Sequence, residues 1–140
     1  MTVQLATTDA DLAACFPVMK ELRPHLKDAA DLVAAVRRME KEFYAIAYVA
    51  AGGRPVACMG FRACEMLSRG IGYYVDDLVT LPNLRSHGHG RTLLDWLEAK
   101  AKAEGKVCVH LDSGTQRSDA HHFYFRQRYH VQAFHFLKKV

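Results

Sequence analysis

Two glycines stand immediately before one of the most strongly helical segments of this chain. In RSHGHGRTLLDWLEAKAKAEG, residues 85–105, Gly88 and Gly90 are followed by leucines at helical spacing. Glycine costs about 1 kcal/mol relative to alanine wherever a helix must form, so helix stability does not explain this pair. The preceding run, IGYYVDDLVTL, has the apolar alternation that is typical of a strand. These residues therefore predict a strand, a glycine loop and a helix in succession.

A glycine loop that opens a helix is suited to binding a phosphate group. The N–H groups at a helix N-terminus and the positive end of the helix dipole favour an anion, and glycine lets that anion approach the backbone. The dinucleotide motif G-x-G-x-x-G would require glycine where the chain has Leu93, and G-x-x-x-x-G-K-S/T has no match. The loop is thus expected to hold a pyrophosphate, although it belongs to neither of these nucleotide classes.

Length and composition predict one domain, residues 1–140, with a core of its own. The net charge of +4 is mild and no basic stretch is interleaved with aromatics, so no nucleic-acid partner is expected. No apolar run has the length of a membrane span, and no signal peptide is evident, which makes a cytoplasmic location the expectation. The four cysteines lack C-x-x-C spacing, so we expect neither a disulfide framework nor a zinc site.

Hydrophobic periodicity and turn residues predict the element order β-α-α-β-β-β-α-β-α-β. The predicted helices lie in DLAACFPVMKEL after a cap at Thr8 or Asp9, in DAADLVAAVRRMEKEF, at 91–104 and in SDAHHFYFRQRY. The predicted strands are a short one near the N-terminus, 45–50, PVACMGFRAC, IGYYVDDLVTL, KVCVHLD and a final VQAFHFLKK. Helices on both faces of a mainly antiparallel sheet, with one β-α-β crossover, make an α/β or α+β sandwich.

Three segments resemble the GNAT superfamily of N-acetyltransferases, which bind acetyl-coenzyme A. Arg85-Ser-His-Gly88-His-Gly90 matches the Arg/Gln-x-x-Gly-x-Gly/Ala signature of that family. It follows YYVDDLVTLPNL, which is similar to the family's fourth strand, and AHHFYFRQRY resembles the Ala-x-x-Phe-Tyr-x-x-x-Gly-Phe segment. The resemblance covers nearly the whole chain and implies the GNAT fold, with a mixed, mainly antiparallel sheet of about six strands.

The resemblance also assigns contacts with acetyl-coenzyme A. The loop backbone would hold the pyrophosphate, and the end of the fourth strand would pair with the pantetheine arm. Relatives often open the fourth helix with an asparagine that contacts the pantetheine. This chain has Arg117 there, for which Ser118 or Gln116 is expected to substitute. The cofactor-binding residues implied are Leu78, Val79, Thr80, Arg85, Ser86, His87, Gly88, His89, Gly90, Arg91 and Ser118.

The apolar alternation of the fourth predicted strand contains one acidic residue out of place. Ile71, Tyr73, Val75, Val79 and Leu81 form the apolar set, but Asp77 falls among them. A β-bulge would re-aim that side chain. In the GNAT family this strand is bulged and splays from its neighbour, which leaves a wedge for the cofactor, so a bulge is expected here too.

Two residues are the candidates for proton transfer. Tyr124 matches the tyrosine that protonates the departing thiolate in many relatives, although Phe123 and Tyr124 also suit the apolar stripe of an amphipathic helix. Asp76 matches the acidic position that serves as base in some relatives, through a bridging water; a capping or solvent-facing role is the alternative. Glu65 is a further candidate for lining the acceptor cleft, and nothing in the sequence fixes its direction.

The histidines show no metal-binding pattern. His87, His89, His121 and His122 are interpreted as loop or surface residues, and no metal is expected. His110, in a predicted strand, could face either the cleft or the opposite layer. Arg128-Tyr129 replaces the usual Gly-Phe pair, so a helix C-cap glycine is absent and the turn there is expected to differ.

The predicted activity is transfer of acetyl from acetyl-coenzyme A to a primary amine, on a small molecule or a protein, by direct attack in a ternary complex. The alternatives are a non-catalytic acetyl-coenzyme A-binding module and a structural sandwich without a ligand. The predicted final strand, VQAFHFLKK, has an unpaired edge and exposed aromatics, which predicts a homodimer that buries part of it.

Overall fold

The computed structural model describes all 140 residues, which divide into two compact units, 1–110 and 111–140. Five strands form one sheet in the order β1-β2-β3-β4-β5: β1 Val3–Leu5, β2 Tyr44–Ala51, β3 Arg54–Met66, β4 Gly70–Thr80 and β5 Cys108–Leu111. The four helices are α1 Asp9–Leu22, α2 Ala29–Met39, α3 His89–Ala103 and α4 Ser118–Arg126. The predicted element order is confirmed from β1 through α4.

The sheet is mixed. Strands β1 to β4 pair antiparallel with their neighbours, and the β2–β3 connection turns at two glycines in the left-handed region, Gly52 and Gly53. After the crossover through α3, β5 lies beside β4, with Val107 donating to the carbonyl of Ile71 at 3.0 Å and Cys108 lying against Gly72. Val107 lies beside Ile71 and the next residue, Cys108, lies beside Gly72, so β4 and β5 run in the same direction.

Helices α1 and α2 cover one face of the sheet. Thr8 caps α1 as predicted: its hydroxyl accepts from the Asp11 N–H at 3.1 Å, and the Asp11 carboxylate accepts from the Thr8 N–H at 3.0 Å. The core on this face consists of apolar side chains from both helices and the central strands, including Leu12, Cys15, Met19, Leu32, Val36, Ile46, Cys58 and Val79. Burial of these chains is the main force that holds the helices on the sheet.

A β-bulge interrupts β4 at Asp76. Val75 lies opposite Phe61 and Asp77 lies opposite Gly60, so Asp76 has no cross-strand partner. Before the bulge, Phe61 packs edge-on against Trp96 of α3 with ring centroids 5.7 Å apart. After it, Asp77 contacts Arg23 at the end of α1. The bulge thus turns the odd-numbered residues of β4 from the α3 face to the α1 face, which confirms the predicted re-aiming of Asp77.

The second unit contains α4 and the C-terminal segment. Residues 130–140 have no regular secondary structure, so the predicted final strand, VQAFHFLKK, is wrong. Its alternation places apolar residues on both sides, and Val131, Phe134 and Phe136 remain 68%, 80% and 92% exposed. A strand is stable only when a neighbour pairs with it, and this segment pairs with none. The fold class is confirmed, with five strands where about six were expected.

None of the helices combines the length and the apolar character that crossing a membrane requires.

Candidate functional site

The loop before α3 exposes backbone N–H groups at a helix N-terminus. Gly88 is the N-cap with φ of 83°, and no side chain caps the helix. The first helical hydrogen bond runs from the Thr92 N–H to the Gly88 carbonyl at 2.9 Å, which leaves the preceding N–H groups without helical partners. The loop therefore presents the donors and the positive dipole end that bind an anion.

The backbone conformation requires glycine at only one of the two glycine positions at the start of α3. Gly88 needs its left-handed φ, and a Cβ there would meet only the Met1 Cε, at 3.8 Å. Gly90 lies in the first turn of α3, where any residue could adopt the backbone conformation. A Cβ at Gly88 would thus make only an ordinary van der Waals contact, so the left-handed φ and not close packing is what requires glycine there. Ser86 also has a left-handed φ, of 64°, which is uncommon for a residue with a side chain.

The side chains of this loop add charge and aromatic surface. Arg85 and Arg91 are exposed, and the only ion pair recorded for either joins Arg91 to Asp95 at 3.4 Å. His87 Nδ1 lies 2.8 Å from the Arg85 carbonyl oxygen, and the His87 and His89 rings are stacked 6.2 Å apart. The Nδ1 atom of His89 is buried without a hydrogen-bond partner. The predicted surface role fits His87, whereas His89 is partly buried.

Strand β4 continues beyond the point where its neighbour β5 ends. Leu78, Val79 and Thr80 pair with β3, opposite Met59, Cys58 and Ala57. Strand β5 begins beside Ile71 and is only four residues long, whereas β4 continues to Thr80. The edge of this part of β4 that faces away from β3 is where the sequence predicts contact with the pantetheine arm.

Asp76 is held by an arginine on the neighbouring strand. Arg62 donates from Nε to Asp76 Oδ2 at 3.0 Å and from Nη2 to Oδ1 at 2.8 Å, and both side chains are 19% exposed. Burial raises the pKa of the Asp76 carboxyl, and the Arg62 guanidinium opposes that shift. A carboxylate whose pKa is raised is a better proton acceptor near neutral pH.

Asp77 is the buried polar residue beside the bulge. Its Oδ1 accepts from Arg23 Nε at 2.7 Å, and its Oδ2 accepts from the Tyr44 hydroxyl at 2.7 Å. Burial is the main cause that raises the pKa of Tyr44, followed by the charge of Asp77. Gly60 makes room for this network, because a Cβ there would lie 2.0 Å from the Tyr44 hydroxyl oxygen.

The remaining candidates of the first unit are placed apart. Glu65 is exposed and lies opposite Ile71, so roughly 16 Å of strand separates that level from Asp76. His110, whose direction the sequence left open, has its Nε2 3.5 Å from the Cys64 Sγ and its ring 5.2 Å from that of Tyr74. His110 therefore shares a face of the sheet with Tyr74, which lies opposite Arg62 in the register.

Tyr124 and Ser118 belong to the second unit. Tyr124 lies in α4, with its ring centroid 5.3 Å from that of Phe123 and 6.0 Å from that of Tyr129. Burial raises the pKa of Tyr124, and the Arg117 charge opposes the shift, so the hydroxyl keeps its proton at neutral pH. Ser118 is the first residue of α4, whose N-cap is Arg117.

The end of α4 has an arginine where the family usually has a C-cap glycine, yet its backbone conformation is the one expected for glycine. Arg128 adopts a left-handed φ of 66°, the conformation that a C-cap glycine would provide. The N–H of Tyr129 donates to the Tyr124 carbonyl at 3.0 Å, which closes the helix.

Four further residues of the site are not evident from the sequence: Arg62, Arg23, Tyr44 and Gly60. Their partners are 14 to 54 residues away along the chain, so local periodicity carries no signal for them. An arginine inside the otherwise apolar run PVACMGFRAC, one hairpin away from two aspartates, is the one hint present in the sequence. No group of three or more His, Cys, Asp or Glu side chains in the structure could hold a metal ion.

The mixed sheet, the bulged β4 and the glycine loop that opens α3 make up an α+β fold of the kind that the sequence predicts. The model of the Acetyltransferase (GNAT) family matches residues 6–128, and the chain belongs to this family. The chain is 32% identical over 139 residues to the "Uncharacterized N-acetyltransferase YhdJ" of Bacillus subtilis (strain 168), covering 96% of this chain and 95% of that protein. It is an acyltransferase of the N-acetyltransferase kind.

Solved structures that share the fold include the following two. A putative acetyltransferase from Agrobacterium tumefaciens str. C58 has a TM-score of 0.84 at 21% identity, with both chains covered completely. AAC(6')-Iy in complex with the bisubstrate analogue CoA-S-monomethyl-acetylneamine has a TM-score of 0.81 at 14% identity, covering 99% of this chain and 97% of that one. At these identities the likeness concerns the fold alone.

Proposed function

We propose that this protein transfers the acetyl group of acetyl-coenzyme A to a primary amine within a ternary complex. The observation that carries the proposal is the uncapped N-terminus of α3, with Gly88 in the left-handed region. Those free N–H groups fit a pyrophosphate, and the family uses acetyl-coenzyme A. We also propose that residues 1–140 form one domain, which the family match over residues 6–128 supports.

The cofactor contacts follow from the same residues. The backbone of Ser86, His87, Gly88, His89, Gly90 and Arg91 would hold the pyrophosphate, with Arg85 and Arg91 adding positive charge. Leu78, Val79 and Thr80 would offer backbone groups to the pantetheine arm, and Ser118 would contact it from α4. The thioester supplies an activated acyl carbon and a thiolate leaving group.

Asp76 and Tyr124 take the two proton-transfer roles. The acceptor amine gives up a proton to Asp76, directly or through one water, and its nitrogen forms a bond with the acetyl carbon. The carbon–sulfur bond breaks, and the Tyr124 hydroxyl protonates the departing thiolate. The raised pKa of Asp76 supports its role, because its carboxylate then accepts a proton more readily.

The acceptor is an amine of a small molecule or of a protein. We further propose a cytoplasmic homodimer in which the exposed apolar side chains of the C-terminal segment are buried. Val131, Phe134, Phe136 and Leu137 are all more than two-thirds exposed in the single chain. An apolar segment of this kind favours association with a second copy.

A panel of amines tests the proposal. Wild-type protein is mixed with acetyl-coenzyme A and each amine, and release of the free thiol is followed with time. We expect thiol release to exceed background with at least one class of amine. Tight binding of acetyl-coenzyme A in calorimetry without turnover on any acceptor would instead indicate a non-catalytic binding module, and no binding would indicate a structural sandwich.

A further inference from the structure

Arg62 binds the proposed base through two parallel hydrogen bonds. Its Nε donates to Asp76 Oδ2 at 3.0 Å and its Nη2 donates to Oδ1 at 2.8 Å. A bidentate pair of this kind fixes the plane of a carboxylate as well as its position. A lysine offers a point charge without this geometry and would leave the carboxylate freer to rotate.

Asp76 depends on such a contact because it is the extra residue of the bulge. Its neighbours Val75 and Asp77 face Phe61 and Gly60 across the sheet, whereas Asp76 faces no residue of β3 in the register. Cross-strand packing therefore does not set the direction of its side chain. The guanidinium of Arg62 supplies the missing constraint.

Arg62 is itself held in place. Its Nη1 donates to Glu42 Oε2 at 2.6 Å, and its guanidinium carbon lies 5.4 Å from the centroid of the Tyr44 ring. The Arg62 side chain is 19% exposed, so it is largely shielded from solvent, whereas Glu42 is 73% exposed. An arginine that is fixed by an acid on one side and by a ring on another can orient a second acid.

A second arginine holds the backbone of the bulge. Arg23, at the end of α1, donates from Nη2 to the carbonyl oxygen of Asp76 at 3.1 Å and from Nε to Asp77 Oδ1 at 2.7 Å. The main chain of Asp76 is thus held from α1 while its side chain is held from β3. Both contacts concern the same residue, although neither arginine is near it in the sequence.

We propose that Arg62 is the positioning residue of the base: it holds the Asp76 carboxylate in one orientation, and Glu42 anchors it from the other side. The inference rests on the proposed function, since Asp76 must be the proton acceptor. Each carboxylate oxygen has two lone-pair sites, so the oxygens that accept from Arg62 can still accept from an amine or a water. Arg62 does not contact the acceptor; it acts through Asp76.

The electrostatic consequence has a defined sign. Removing Arg62 removes a cation that favours the charged form of Asp76, so the pKa of that carboxyl rises further. In the pH profile of kcat/KM, the acid limb is the range in which activity falls because the base becomes protonated. This limb then moves to higher pH. The ionisable groups that face Asp76 from the surrounding elements are Arg62, Cys64, Tyr44, Arg23 and Asp77, and Glu42 lies beyond Arg62.

The test compares Arg62→Gln, Arg62→Lys and Asp76→Asn with the control Arg37→Gln on a good acceptor. Arg62→Gln should lower kcat by roughly 10-fold to 100-fold, move the acid limb to higher pH and leave the affinity for acetyl-coenzyme A unchanged. Arg62→Lys keeps the charge and loses the two-point geometry, so turnover should fall while the limb moves less. Arg37→Gln is the matched control. It removes an arginine that forms ion pairs with two acids, Asp9 and Glu40, outside the site.

Each outcome decides a separate point. A folded Arg62→Gln variant with an unmoved acid limb and wild-type turnover overturns the positioning role. If the glutamine variant does not fold, the lysine variant decides, and wild-type turnover in it overturns the role. An Asp76→Asn variant that retains the acid limb contradicts the assignment of the base, and with it the inference. An Asp76→Asn variant that loses the limb, beside an Arg62→Gln variant with an unmoved one, contradicts the inference alone.

Discussion

Replacing the Tyr124 hydroxyl tests whether this residue donates a proton or only packs in α4. Tyr124→Phe keeps the ring contacts with Phe123 and Tyr129, so the thermal midpoint should change little. If the hydroxyl protonates the thiolate, kcat should fall by roughly 10²-fold or more, while binding of acetyl-coenzyme A persists. Thiol release and calorimetry measure the two quantities. Wild-type turnover in this variant would return Tyr124 to the apolar stripe of α4.

Gly60 has no side chain, which leaves room for the hydrogen bond between Tyr44 and Asp77. In Gly60→Ala, the new Cβ would lie 2.0 Å from the Tyr44 hydroxyl oxygen and 2.5 Å from Asp77 Oδ2, so their hydrogen bond must break or move. We expect a loss of about 2 kcal/mol or more in the free energy of unfolding, measured with denaturant, because a buried carboxylate loses a partner. Tyr44→Phe, which removes only the hydroxyl, should cost less. Equal stability of Gly60→Ala and wild type would contradict this packing.

The structural roles of some site residues could be predicted from the sequence, and those of others could not. Gly88 was predictable, because a glycine between a strand and a helix indicates a left-handed φ, and its φ is 83°. The bulge was predictable because Asp77 breaks an apolar alternation. The pair of Arg62 with Asp76 was not, since it depends on how two strands align across a hairpin and around that bulge. Long-range partners of this kind are set by tertiary register, which local patterns do not encode.

At the scale of elements, α3 offers a paired test of the anion site. Gly88 stands before its first residue and Gly105 follows its end, both in the left-handed region, with φ of 83° and 69°. Valine at either position should lower stability by about 1–2 kcal/mol, because a β-branched side chain disfavours that backbone conformation. Gly88→Val should also weaken the binding of acetyl-coenzyme A in calorimetry, and Gly105→Val should not. An unchanged affinity in a folded Gly88→Val variant would remove the loop from the cofactor site.

The predicted final strand shows the limit of periodicity for a whole element. Alternation in VQAFHFLKK is compatible with a strand, but a strand also needs a neighbour, and the five-stranded sheet provides none for residues 131–139. Helices α1, α2 and α3 were predictable because each carries an apolar face that the core buries, as Leu12, Cys15 and Met19 do in α1. In the C-terminal segment the apolar residues stay exposed, so the same pattern does not lead to the same structure.

At the scale of the whole molecule, the exposed apolar segment predicts self-association. Light scattering at micromolar concentration should give the mass of a dimer, and hydrogen exchange should be slow over residues 131–137. Phe134→Asp with Phe136→Asp should shift the protein towards the monomer, because charges replace side chains that are 80% and 92% exposed in one chain. A wild-type monomer whose residues 131–137 exchange freely would contradict the proposed dimer.

The central claim is that one chain binds acetyl-coenzyme A at the α3 loop and passes its acetyl group to an amine. The most direct measurement follows the free thiol and the acetylated amine in the same reaction, by a thiol reagent and by mass spectrometry. Our account predicts equal amounts of both products, formed by the wild type and strongly reduced in Tyr124→Phe. Thiol release without an acetylated amine, or acetylated amine formed at the rate of a protein-free control, would contradict it.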